Sequence, residues 1–410
     1  MSSWNPVLNL VLRIKRDYEK SFGTDTYHFE TWLNKLNNTE YNEVFDCLQI
    51  NQKDEFILIR YGLADVQEKM WEDKDSIYRE CRSVVIDLKK EQLVLTPFRK
   101  FFNLDEVEEN KLDVITEKFK SASIVEIANK LDGSMQNARW YNENVFMTGS
   151  MALDKNDSWR LEEGYSMLSE NYVSMIRSNS ELTFIFEYIS QKDAHVVLYD
   201  KNDEGMHLIG IRNTETGEQL SYKNVIEIAE SYDVAVVELE DKTLEKMLEE
   251  MKQVSSHEKE GWVINLDGHY VKVKCDDYVS IHRLLDKVSS VNVIIEAIAN
   301  DSYDDLISKI PDKYKERVRN IAGLIFKYVR DTREQINKFY ASAPKGTRKE
   351  FMVWVESNVP KEIKHCLRNE YLGIENNLLK KGKNGYKRMS DLGYDETYSV
   401  LFSNVEGENA

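Results

Sequence analysis

The sequence predicts an α+β fold with mostly antiparallel sheets and flanking helices, followed by an all-α C-terminal domain. Three observations predict it. Short β-branched or aromatic runs recur between about residues 55 and 275, helical periodicity interrupts them in three places, and past Tyr278 the strand signal stops while helical stripes continue. The expected division is a first domain over 1–285 and a helical domain over 286–410.

Taken in order, Asn5-Pro6 gives a cap and a proline at the first helical position, and Val7, Leu10, Val11 and Ile14 continue as a helical stripe. Strands are expected at 56–61, 82–88, 125–129, 136–141, 183–189, 195–199, 207–212, 261–266 and 270–274. Between them, 159–176, 222–231 and 244–251 carry helical spacing. The helical part comprises 291–308, 312–340, 349–358 and 362–379, with Pro311, Pro344 and Pro360 as stops between segments. The polar tail 404–410 is expected to fray.

A chain of 410 residues is longer than one compact core usually accommodates, which agrees with two domains. No apolar stretch approaches the roughly 20 residues of a membrane span. The N-terminus lacks the pattern of an export leader, so none is expected. Cys47, Cys81, Cys275 and Cys366 show no paired spacing and point to reduced, structural thiols in the cytosol; the histidines show no zinc spacing. The net charge of −17 excludes a protein that coats nucleic acid by diffuse attraction. Any nucleic-acid site must be local, and the basic stretches 309–349 and 380–388 leave room for one.

The sharpest motif is Lys130-Leu131-Asp132-Gly133-Ser134, at the end of one expected strand and the start of another. By itself it marks only a turn, and Lys130 could be an ordinary exposed lysine. Its companions follow in order: Phe186-Glu187-Tyr188, Glu260-Gly261-Trp262-Val263-Ile264 and Lys272-Val273-Lys274. Upstream stand Glu80-Cys81-Arg82 and Arg99-Lys100-Phe101-Phe102-Asn103. Glu187 lies among apolar strand neighbours, where a carboxylate either faces solvent or serves a function. Glu260 alone could be a solvated charge, and Lys272 and Lys274 the polar face of a strand. Phe101 and Phe102 point opposite ways along a strand, so one belongs to the core; Phe102 is the ligand candidate.

This ordered set resembles the covalent nucleotidyltransferase superfamily of ligases and capping enzymes, and within it the phage tRNA-repair type, the RNA ligase 1 family. The Arg82 strand, Lys100-Phe101-Phe102-Asn103 and Tyr278-Val279-Ser280-Ile281-His282 carry the narrower likeness. The resemblance implies an ATP-dependent RNA ligase with Lys130 as the nucleophile that takes up AMP. It implies Glu187 and Glu260 near a magnesium ion (manganese being the alternative), Lys272 and Lys274 on the phosphates, and Arg82 and Lys100 on phosphate or ribose. Asp132 and Gly133 would shape the pocket floor, and Phe102 and Val263 would flank the adenine. The expected substrate is RNA with 5′-phosphate and 3′-hydroxyl ends, such as a nicked tRNA anticodon loop. No membrane partner is expected, and the protein is expected to be a cytoplasmic monomer, in the host cell if phage-encoded.

The chemistry explains the residue types. A lysine of ordinary pKa, about 10.4, is neutral only about one part in a thousand near neutrality, so the amine must be activated by nearby cations. Lys272 and Lys274 alternate along a strand, share a face and can bracket phosphates. Two departures from the family pattern weaken the carry-over of RNA contacts. Ser83 stands where a glycine commonly follows the arginine, and Met147-Thr148-Gly149-Ser150 lacks lysines. The tract Lys380-Lys381-Gly382-Lys383 reads equally as a solvated helix end or as RNA surface. The rival readings are a DNA ligase or RNA-capping guanylyltransferase, and an inactive ligase-fold RNA-binding adaptor.

Overall fold

A computed structural model describes residues 3–24, 26–62, 68–193, 196–280, 282, 291–310, 312–374, 376–381 and 385–394. The chain divides into two compact units, 1–279 and 280–410.

The first unit opens with α1 (Pro6–Phe22), whose cap Asn5 accepts hydrogen bonds from the Val7 and Leu8 amides, as its sequence predicts. Val7, Val11, Ile14 and Tyr18 bury its apolar stripe against α2 (Phe29–Leu36), α3 (Thr39–Phe45) and the first sheet. That sheet has the order β1 (Leu48–Lys53), β2 (Phe56–Tyr61), β3 (Arg82–Asp87), β4 (Gln92–Leu95), all antiparallel. A short β5 (Phe102–Asn103) and α4 (Leu112–Ser121) lead to β6 (Val125–Lys130). After it come β7 (Ser134–Tyr141), β8 (Asn144–Thr148), α5 (Trp159–Ser166), α6 (Glu170–Ser178), β9 (Leu182–Ile189) and β10 (Gly205–Asn213). The unit closes with α7 (Tyr222–Ser231), α8 (Leu244–Glu250), β11 (Gly261–Leu266) and β12 (His269–Lys274).

Two further four-stranded sheets result, ordered β10-β9-β7-β8 and β5-β12-β11-β6. Only the β5–β12 pairing is parallel among the described ladders. β6 belongs to the third sheet and β7 to the second, with only Leu131, Asp132 and Gly133 between them. Lys130 therefore sits where the chain passes from one sheet to the other. All eight residues of β9 are buried, so both of its faces are covered.

The second unit contains α9 (Val291–Ala299), α10 (Tyr303–Lys309), α11 (Asp312–Ser342), α12 (Arg348–Asn358) and α13 (Lys364–Leu372). Ile336, Phe351, Val355, Ile363 and Leu367 form its core. Among the described residues no helix is long and apolar enough to cross a membrane, and the four cysteines are free thiols.

Several expected elements change. The 159–176 helix breaks at 167–169, where Ser169 begins a new cap. The 291–308 helix breaks before Tyr303, after Asp301 turns at φ 57°. The 362–379 helix shortens because Gly373 ends it in the left-handed conformation. A two-stranded ladder, β13 (Lys380–Lys381) with β14 (Gly385–Tyr386), interrupts the all-α C-terminal part. The strand expected at 195–199 does not form over 196–199, because the Val196 and Val197 amides donate to Asp132 rather than to a neighbouring strand. His195, Ile281, Pro311, Lys383 and the 404–410 tail lie outside the described residues.

Candidate active site

The site begins as a row across the third sheet. Gly261 on β11 is the register partner of both Lys130 on β6 and Lys274 on β12. A Cβ at Gly261 would lie 2.0 Å from the Val273 carbonyl oxygen, and its φ of +147° lies in the region that favours glycine, so no other residue fits between the two lysines without strain. Two residues along, Val263 pairs with Ala128 and Lys272. The period of two puts Lys130, Lys272, Lys274 and Val263 on one face.

Glu260, immediately before that glycine, lies between the two lysines. One carboxylate oxygen is 2.7 Å from Lys130 Nζ and the other 2.9 Å from Lys274 Nζ. Burial alone would raise the Glu260 pKa, but Lys130 and Lys274 hold it below the usual carboxylate range. For Lys130 burial acts downward, yet the charges of Glu260, Glu187 and Asp132 outweigh it and keep the amine above its ordinary value. The sequence argument expects cations to free this amine; here the carboxylates around it keep it protonated. Lys272 behaves oppositely. Burial, reinforced by Arg82, Lys100, Lys130 and Lys274, pushes it well below the ordinary lysine value.

The 131–133 turn is clamped from three sides. Asp132 Oδ2 accepts from the Val196 and Val197 amides at 2.8 and 2.9 Å, and its Oδ1 accepts from the Tyr278 hydroxyl at 2.8 Å. The Asp132 amide donates to the Tyr199 hydroxyl at 2.7 Å, and the Gly133 amide donates to Glu187 Oε1 at 3.0 Å. A Cβ on Gly133 would come 2.3 Å from the Tyr188 carbonyl oxygen, which explains the glycine there. Glu187 reaches the turn from β9, where it pairs with Met135 of β7.

The expected aromatic contact changes partner. Phe102 is 1% exposed and packs against Trp71 at 5.6 Å, with Arg79 and Lys100 each 5.0 Å from its ring. Phe101 carries the opposite face: Lys272 Nζ lies 4.6 Å and the Arg82 guanidinium 5.3 Å from its ring. It shares an apolar cluster with Val263, Ala128 and Tyr270. The two phenylalanines alternate as the sequence requires, Phe102 packing against Trp71 and Phe101 lying beside Lys272 and Arg82.

The structure thus gathers Lys130, Lys272, Lys274, Glu187, Glu260, Asp132, Gly133, Arg82 and Val263 around one region. Lys100 acts on Lys272 electrostatically while its ammonium rests over the Tyr61, Trp71 and Phe102 rings. Sequence reasoning missed Tyr199 as a clamp, because its segment reads as a strand. It also missed Phe101 and the hydroxyl of Tyr278, whose position just past the paired lysines was the available signal.

The α+β frame thus sets one lysine, two strand carboxylates and a pair of alternating lysines on converging strands. Residues 80–278 match the family model described as RNA ligase. That segment, a little under half of the chain, is similar to the RNA ligase family. Over 265 residues it is 23% identical to a protein of Autographa californica nuclear polyhedrosis virus provisionally described as a bifunctional polynucleotide kinase/RNA ligase. That match takes in 60% of this chain and only 37% of the viral protein. Among solved structures, an archaeal ATP-dependent RNA ligase is similar over 86% of this chain and 100% of its own, with TM-score 0.44 and 10% identity. A Naegleria gruberi RNA ligase solved with ATP and manganese is similar over 42% of this chain and 55% of its own, with TM-score 0.35 and 15% identity.

Proposed function

We propose that the protein is an ATP-dependent RNA ligase that joins RNA 5′-phosphate and 3′-hydroxyl ends through a lysyl-AMP on Lys130. The observation that carries this reading is Glu260, which bridges Lys130 and Lys274 inside a segment matching the RNA ligase family.

In the first step the neutral Lys130 amine attacks the α-phosphorus of ATP. A phosphorus–nitrogen bond forms, pyrophosphate leaves and the amine loses its proton. Lys272 and Lys274 supply fixed positive charge where the phosphate gains negative charge. Phe101 and Val263 take the faces of the adenine, with Phe101 replacing Phe102 in that role. Arg82 and Lys100 serve the phosphates or ribose, and the clamped Asp132 and Gly133 fix the direction of approach. An RNA 5′-phosphate oxygen then displaces Lys130 from the AMP, and a 3′-hydroxyl displaces AMP from the RNA. The same cations serve all three transfers.

Glu187 and Glu260 both act on Lys130 through their charge, and these two carboxylates would hold a divalent ion that keeps most of its waters, as magnesium commonly does. When bound, such an ion supplies positive charge that offsets the carboxylates keeping Lys130 protonated. The natural substrate we favour is a broken tRNA anticodon loop, with the protein acting as a cytoplasmic monomer and the second unit choosing the RNA.

Mass spectrometry after incubation with ATP and magnesium tests the reading. An AMP-sized increment on Lys130, absent from Lys130→Ala and not replaced by a GMP increment with GTP, is the expected result. A wild-type protein that never acquires the increment sinks it.

A further inference from the structure

Arg60 on β2 and Arg82 on β3 are direct cross-strand partners, because Ser83 bulges out of the ladder at φ 69°. Like charges set opposite each other are destabilising. Moreover, Arg82 Nη1 is buried with no hydrogen-bond partner, a costly state for a charged donor. Both arginines line a cavity of about 630 Å³ whose wall also carries Arg160, Ser134 and Ser150. Arg60 donates to Ser150 Oγ at 2.5 Å, and Arg160 pairs with Asp193 at 2.7 Å, so both guanidinium groups are held in place.

The cavity starts at Gly133 and Ser134, directly after the turn that follows Lys130, yet Lys130, Lys272 and Lys274 are not among the described residues that line it. It therefore shares Arg82 and Gly133 with the adenylation site but extends beyond it, away from the wall that carries the three lysines. Its volume exceeds what a phosphate needs and suits a nucleotide-sized group, for which Met135, Met151 and Leu161 offer apolar wall.

Building on the ligase reading, we infer that this cavity receives the 5′-phosphate end of the RNA, with Arg60 and Arg160 fixing the terminal phosphate and Arg82 closing on it. From there a phosphate oxygen attacks the α-phosphorus carried by Lys130. The oxygen–phosphorus bond forms as the phosphorus–nitrogen bond breaks, and the departing amine takes the bonding pair and a proton. The triphosphate tail of ATP shares this chemistry, but a cavity large enough for a whole nucleotide beyond the phosphate favours RNA.

The test splits the two steps. Arg60→Ala and Arg160→Ala should form the lysyl-AMP from ATP within about twofold of wild type, while single-turnover AMP transfer to 5′-phosphorylated RNA falls about tenfold or more. The adenylylated wild-type enzyme should also bind 5′-phosphorylated RNA more tightly than the 5′-hydroxyl form, a preference both variants lose. Arg60→Lys and Arg160→Lys, which keep charge but not the planar fork, should recover part of the transfer and guard against misfolding. If the alanine variants impair adenylylation by ATP while sparing transfer, the cavity serves the triphosphate and the inference fails. Normal transfer and normal preference in both also overturn it. Absence of any adduct in wild type would instead defeat the ligase reading itself.

Discussion

Glu260 joins two lysines that approach it from opposite neighbouring strands, its oxygens 2.7 Å from Lys130 and 2.9 Å from Lys274. The consequence is a resting site in which the proposed nucleophile is stored as an ammonium, safe from adventitious reaction. Activation then means weakening the hold of Glu260, not merely adding cations.

The same pair governs stability against pH. Glu260 has a pKa below its ordinary 4.5, so its contribution is complete above that value and is lost as pH falls through the lowered one. Lys130, raised above 10.5, contributes fully below that value and loses its share as pH rises through the raised one. Replacing Glu260 with Gln leaves two partly exposed ammonium groups facing a neutral amide. We expect a loss of about 2 kcal/mol at neutral pH, less than for a fully buried pair because both lysines retain solvent access. Urea unfolding of wild type and Glu260→Gln should converge as pH drops below 4.5. A gap that does not begin to narrow as pH falls below 4.5 would contradict a charged, ion-paired Glu260.

Lys272 yields the opposite sign. A half-buried cation among Arg82, Lys100, Lys130 and Lys274 costs stability wherever it is charged, and the cost is relieved as pH rises from its depressed pKa towards 10.5. Lys272→Met keeps the length of the side chain and removes the charge. It should stabilise the protein by roughly 1 kcal/mol at neutral pH while slowing lysyl-AMP formation about a hundredfold. A drop in stability would mean that the ammonium is satisfied in the resting state, contrary to its depressed pKa.

The two phenylalanines separate packing from binding. Phe102→Ala should cost about 3–5 kcal/mol, the usual range for emptying a fully buried aromatic site, since Phe102 is 1% exposed. Phe101→Ala should cost less and instead raise the KM for ATP in adduct formation. Equal KM values for wild type and Phe101→Ala would remove Phe101 from the adenine pocket.

What could be read in the sequence divides along physical lines. The 205–213, 222–231 and 261–274 elements were legible because their apolar patterns match one period and their partners lie nearby. β1 was missed, since Leu48–Lys53 is mostly polar and owes its extended form to pairing with β2. At 196–199 local β-propensity was overridden by a single carboxylate, Asp132, which claims two amides. In the site, Lys130, Glu187, Glu260, Lys272 and Lys274 were named from the order of their motifs together with the family resemblance that this order carries. Which of Phe101 and Phe102 faces inward depends on the parallel pairing of β5 with β12, a contact some 170 residues apart that no local pattern encodes.

Ser83 offers a final check on how the arginine pair is set. Its φ of 69° is unfavourable for a residue with a Cβ, by about 1 kcal/mol, but its hydroxyl donates to the Ser150 carbonyl at 2.7 Å, a bond also worth about 1 kcal/mol. Ser83→Gly removes both and should change unfolding free energy little. Ser83→Ala keeps the strain and loses the bond, so it should be destabilised by about 1 kcal/mol relative to Ser83→Gly. Identical stabilities for the two variants would show that the bulge carries no strain. The bulge makes Arg60 and Arg82 face each other whichever small residue stands at 83, so Ser83→Gly should also leave AMP transfer to RNA intact.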